Sequence, residues 1–195
     1  MRSTIVIPVV AILLTACGGE HATHEAGSQP ASSDTAATSS APSTSTADAL
    51  ASLPEASRAP FGALMAGYSS IQTSLAGDTT DGIAAAASAV AGAARILGDG
   101  ATEPSKTFFA AVATEAANLV TNAGDITKAR ESFGELSRAM IALLAANPDL
   151  AKGRVVVECP MTKNYKKWLQ TDTKVKNPHY GNTMLDCGTI STLEP

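Results

Sequence analysis

Four apolar stripes between Phe61 and Leu144, each recurring at steps of three and four residues and each cut off by Gly, Asp, Asn or Pro, restrict this chain to helices packed on helices. In the first, Phe61, Leu64, Met65, Tyr68, Ile71 and Leu75 fall on one side, and Gly77-Asp78 ends the pattern. Asp78 or Thr80 suits the cap of the second helix, which runs from about Gly82 to Leu97 with Ile83, Ala87, Val90, Ala94 and Leu97 inward. Its alanines combine high helix propensity with a slim profile, so neighbours approach closely. Gly98-Asp99-Gly100 closes it. The third helix opens at Pro104, carries Phe108, Val112, Ala116, Leu119 and Val120 to one side, and stops at Asn122-Ala123-Gly124. Asp125 is the N-cap expected for the fourth, whose seam is Ile126, Ala129, Phe133, Leu136, Met140, Leu143 and Leu144, with Asn147-Pro148 at its end. Connections of about five to eight residues favour antiparallel neighbours. The expected fold class is therefore all-α: an up-down four-helix bundle over residues 49–148, followed over residues 149–195 by a C-terminal extension of the same domain containing a short strand or hairpin.

The N-terminus sets the compartment. Met1-Arg2 is a short basic region, Ile5 to Leu14 an apolar run too short to span a bilayer, and Leu14-Thr15-Ala16-Cys17 ends it with small residues before a thiol. The LTAC run resembles the lipobox of bacterial lipoproteins, which implies a signal peptide over residues 1–16 and a lipid on Cys17 that anchors the protein to a membrane. Gly18 is not the aspartate that retains enterobacterial lipoproteins at the inner membrane, so in a Gram-negative host the periplasmic face of the outer membrane is the expected location. Residues 17–48 are rich in Ser, Thr, Ala and Pro and read as a flexible tether, because such a stretch buries too little apolar surface to offset the entropy of ordering it. His21 and His24 within it make at best an adventitious metal site.

Nothing in the helical region carries catalysis. A di-metal carboxylate bundle needs inward glutamates and an E-x-x-H pair, whereas Glu115, Glu131 and Glu135 lie off the apolar stripes and no histidine occurs between His24 and His179. Glu131 and Glu135, flanked by Arg130 and Arg138, read as a salt-bridged surface, and Met65 and Met140 as core. No nucleophile elbow, helical metalloprotease motif or phosphate loop is present, so the expectation is a protein that is not an enzyme.

After Pro148 the chain changes character. Arg154 to Cys159 is β-branched and reads as a short strand. From residue 151 onward seven basic side chains face four acidic ones, a net of +3, whereas residues 17 to 150 hold six basic and fourteen acidic, a net of −8. A basic tail lying on an acidic bundle is the simplest account, and no basic groove interleaved with aromatics argues for nucleic acid. In the tail Cys159 and Met161 are mirrored by Met184 and Cys187. Two thiols and two thioethers suit soft monovalent copper, and His179, in the bend between Pro178 and Gly181, adds an imidazole to that set. The competing reading follows from the cysteine count: with Cys17 lipidated, an even pair remains, and in an oxidising compartment Cys159 and Cys187 pair as a disulfide. A redox-labile pair allows both, since it binds metal when reduced.

ARESF at residues 129–133, GELSRAMIALL after it, and then VVVECPM, the Trp168-Leu169 pair, NPHYGNTML and a final CG resemble the bacterial periplasmic family catalogued as domain of unknown function 3347. The similarity runs from about Ala63 to Gly188, and its specific part is the order of CPM, NP-x-YG, ML and CG in the tail. The resemblance implies export, often as a lipoprotein, and association with periplasmic adaptors of copper and heavy-metal efflux. Taken with the residues, the expected function is a lipid-anchored periplasmic accessory that binds or delivers copper(I) or a similar soft metal through Cys159, Met161, Met184 and Cys187, with a metal-efflux adaptor or another envelope protein as partner. The alternative is a non-enzymatic cell-envelope interaction module with a structural Cys159–Cys187 disulfide.

Overall fold

The computed structural model describes residues 48–195, all within the unit Ser39–Pro195. The leader, Cys17, His21, His24 and the tether lie outside the described residues. After a helical turn at residues 48–51 come four helices, α1 (Glu55–Ala76), α2 (Ile83–Asp99), α3 (Ser105–Asn122) and α4 (Ile126–Ala146). A 3-10 turn (Pro148–Ala151) leads to β1 (Val155–Glu158) and β2 (Lys167–Gln170), a second 3-10 turn (Gly181–Thr183) follows, and β3 (Thr189–Ser191) comes last. The protein is thus mostly helical with a small antiparallel sheet at its C-terminus, ordered β2-β1-β3.

The apolar periodicity decides what is buried. Every stripe residue expected on α1 and α2 is buried, as are Val112, Ala116 and Leu119 on α3 and Ala129 through Leu144 of the α4 seam. On α3 the inward aromatic is Phe109 rather than Phe108; Phe108 and Val120 are only partly buried against the core. Each helix packs on the next, and α1 also meets α4. Asp125 caps α4 as its sequence position predicts, its carboxylate accepting from the N–H groups of Thr127 and Lys128 at 2.9 and 3.1 Å. Asp78 and Thr80 do not cap α2, whose N-cap residue is Gly82, with no side-chain cap.

The tail forms three strands where a single strand or hairpin is the sequence expectation. β1 is the central strand, with Val157 opposite Trp168 on β2 and Ile190 on β3. Val156, Val157, Trp168 and Leu169 are buried, so the sheet shares the helical core, and β2 lies on both α4 and α1. The hydroxyl of Tyr68 on α1 lies 2.7 Å from Ser137 Oγ on α4 and accepts from Leu169 N–H on β2 at 3.1 Å. One buried phenol therefore joins three elements, and its burial pushes the phenol pKa up.

Candidate functional site: the sulfur tract and its turns

The strand register places the two cysteines side by side. Glu158 at the end of β1 pairs with Lys167 on one side and Thr189 on the other, so the residue after β1 and those just before β3 are neighbours in space. Cys159 N–H extends the ladder to Lys166 O at 3.0 Å, and Cys159 is fully buried. Cys159 and Cys187 form a disulfide with Cα atoms 5.7 Å apart, across a sequence separation of 28. Gly188 lies against Val157 and Trp168, where an added Cβ would sit 2.7 Å from Val157 Cγ1, so only glycine lets the strand enter at this depth.

The other motif residues are consumed in holding this closure. Asn177, fully buried, accepts from His179 N–H at 2.8 Å and from Tyr180 N–H at 3.3 Å, donates from Nδ2 to Cys187 O at 2.9 Å, and donates its backbone N–H to Leu185 O at 2.8 Å. It joins the two halves of the 177–187 turn. Tyr180 donates to Met161 O at 2.6 Å and so draws that turn onto the CPM turn. On the helical side, Arg130 donates to Pro178 O at 3.0 Å and Leu75 O at 3.1 Å and pairs with Asp78, whose other oxygen accepts from Asn182 N–H at 2.9 Å. The Asn182 amide, then Arg130, hold the Asp78 carboxyl below its ordinary value. Gly181 has φ +55° and faces Asp78 and Arg130, which any side chain there would strike. Arg130 therefore does not join Glu131 in a surface pair; Arg138–Glu135, at 3.3 Å, does form as the sequence suggests.

The sulfur donors behave differently from one another. Met161 is exposed at 59%, Met184 is half-buried, and Cys187 N–H donates to Met184 O at 3.0 Å. With Cys159 and Cys187 bonded to each other, no thiolate is offered, so in this state the set does not fit copper. Among the described residues no group of three or more His, Cys, Asp or Glu side chains is placed to hold a metal. His179 is held among aromatic rings. Its ring packs edge-on to Trp168 at 5.6 Å and near Phe133 at 6.0 Å, and its Nε2 is buried with no hydrogen-bond partner among the described residues. Burial, then the positive charge of Arg130, lowers its pKa from 6.5 to about 4, so the imidazole is neutral at physiological pH.

Sequence reasoning singles out the cysteines, the methionines and His179, gives Asp78 a helix-capping role and Arg130 a surface role, and does not single out Asn177. The signal for Asn177 is the Asn-Pro pair itself, an Asx-turn starter; the Asp78–Arg130 pairing spans 52 positions and leaves no local pattern. No family model, no curated protein and no solved structure matches the chain.

Proposed function

We propose that this chain is a non-enzymatic accessory module of the bacterial cell envelope, lipid-anchored through Cys17, whose C-terminal sulfur tract is a structural clasp. The observation that carries this reading is the use of the tail's motif residues: Cys159 and Cys187 bond to each other, while Asn177, Tyr180, Gly181 and Gly188 hold the closure. A disulfide also supports export, since such bonds persist in oxidising compartments. The resemblance to the domain of unknown function 3347 belongs to the same proposal, as does the finer architecture, an up-down four-helix bundle whose α1–α4 side is covered by the sheet. The partner is an envelope protein, a metal-efflux adaptor being the one the resemblance suggests. Export and anchoring are tested by fractionation: the wild type should be acylated and sediment with membranes, and Cys17→Ser should not be acylated. Normal acylation of the variant would overturn the anchor.

A second reading keeps the metal. Met161 is exposed at 59%, two residues after Cys159. Reduction of the disulfide would add two thiolates next to it, a set suited to copper(I). On this reading the reduced chain takes up about one equivalent of copper(I), Cys159→Ser abolishes uptake, and Met161→Leu weakens it. Unchanged uptake in both variants would exclude the tract as the site.

A further inference from the structure

The two outer edges of the sheet β2-β1-β3 are treated differently. Cys159 N–H donates to Lys166 O, which makes these two a hydrogen-bonded pair in the β1–β2 register. Such pairs alternate along an antiparallel ladder, so Val157–Trp168 and Val155–Gln170 are hydrogen-bonded pairs as well. Val156 and Glu158 therefore turn their backbone groups toward Ser191 and Thr189 on β3. By the same alternation Leu169 on β2 and Ile190 on β3 turn theirs outward, away from β1. On the β2 edge the outward Leu169 N–H is taken up by the Tyr68 hydroxyl at 3.1 Å. On the β3 edge the N–H and C=O of Ile190 have no partner among the described residues, and the residue is 54% exposed. Natural proteins blunt such edges with charges or proline, yet Thr189, Ile190, Ser191 and Thr192 supply neither.

We propose that the β3 edge pairs antiparallel with the β3 edge of a second copy of this chain, Ile190 opposite Ile190 across a two-fold axis. At a hydrogen-bonded pair on such an axis each residue donates its N–H to the other's C=O, so the four outward groups of the two Ile190 residues are all satisfied. The strand is self-complementary in this register. Isoleucine meets isoleucine, Thr189 meets Ser191 at either end, and no like charges come face to face. A second copy is favoured over an unrelated extended segment because it supplies this match at every position of the strand. Three residues a side cover far less than the roughly 1,000 Å² of a stable interface, so the dimer is a weak one. This surface lies beyond the proposed envelope role and does not depend on it.

Sedimentation equilibrium of the full chain carrying Cys17→Ser, taken up to millimolar concentration, tests it. A reversible monomer–dimer equilibrium is expected. Ile190→Lys sets two ammonium groups opposite each other and should leave a monomer, with an unchanged melting temperature because the residue is exposed and its backbone groups take no part in the β1 ladder. Ile190→Val keeps the branched side chain and should keep the dimer. Ile190→Pro removes the outward N–H alone, a substitution that edge strands accept, and decides the matter if Ile190→Lys does not fold. Amide exchange gives an independent readout: the Ile190 N–H should exchange more slowly as concentration rises, while the Leu169 N–H, already bonded to Tyr68, should not change. A monomer at every concentration, or a dimer as strong in Ile190→Lys as in the parent protein, would overturn the proposal.

Discussion

Arg130 on α4 and Asp78 in the α1–α2 loop, 52 positions apart, form an ion pair that grips the turn at residues 177–182 through Pro178 O and Asn182 N–H. The pair is partly exposed, with 20% and 36% of the two side chains accessible, so its Coulombic contribution is screened. Its value lies in position: the guanidinium also satisfies Leu75 O at the end of α1, and one side chain thereby ties two helix-bearing regions to the tail.

Arg130→Met retains the stem and removes the donors to Pro178 O, Leu75 O and Asp78. A loss of at least about 2 kcal/mol in unfolding free energy is expected, since one hydrogen bond to a charged group is worth about 1.5 to 3 kcal/mol and both Pro178 O and Leu75 O lose their donor. Urea denaturation of wild type and variant measures it, and an unchanged midpoint would show that the turn is held without this residue.

His179 makes stability depend on pH. Its imidazole stays neutral when folded because burial lowers the pKa to about 4, whereas the unfolded chain titrates near 6.5. Between those values the unfolded state binds more protons, so stability is lost as pH falls from 6.5 toward 4. Between pH 7 and 5 the decline should be about 1 to 2 kcal/mol, and His179→Phe should flatten it. An identical slope in the variant would assign the dependence to other groups.

Tyr68→Phe removes a single oxygen from the junction of α1, α4 and β2 and leaves Ser137 Oγ and Leu169 N–H without that buried partner. A loss of about 1 to 3 kcal/mol is expected in chemical denaturation, the cost of burying unpaired polar groups. Helix content by circular dichroism should not change, because the four apolar stripes remain intact.

The helices were legible because 3.6-residue periodicity is local: Phe61 through Leu75 and Ile83 through Leu97 mark buried faces that the fold preserves. Periodicity points to Phe108 where the fold buries Phe109, because adjacent aromatics satisfy the same pattern when the helix phase shifts by one residue. In the tail, Val155 to Glu158 announced a strand through β-branching, but β2 and β3 did not. Lys167-Trp168-Leu169-Gln170 and Thr189-Ile190-Ser191 are too short to show alternation, and their pairing depends on contacts far along the chain. Cysteine arithmetic gave the Cys159–Cys187 pair among its alternatives, and the register of Glu158 with Lys167 and Thr189 explains why the two residues meet. The position of His179 in the bend between Pro178 and Gly181 suggests a donor, yet Phe133 and Trp168, on other elements, make it a packed neutral ring.

The bonding state of Cys159 and Cys187 decides between a structural clasp and a metal site. Thiol counting on the denatured Cys17→Ser chain, without and then with reductant, paired with a copper(I) titration of the unreduced protein, measures that state. The clasp predicts no free thiol before reduction and two after it, no saturable copper(I) uptake by the unreduced chain, and a loss of about 3 to 4 kcal/mol in Cys159→Ala for a loop of this length. Two free thiols in the native protein, with one equivalent of copper(I) bound, would contradict it.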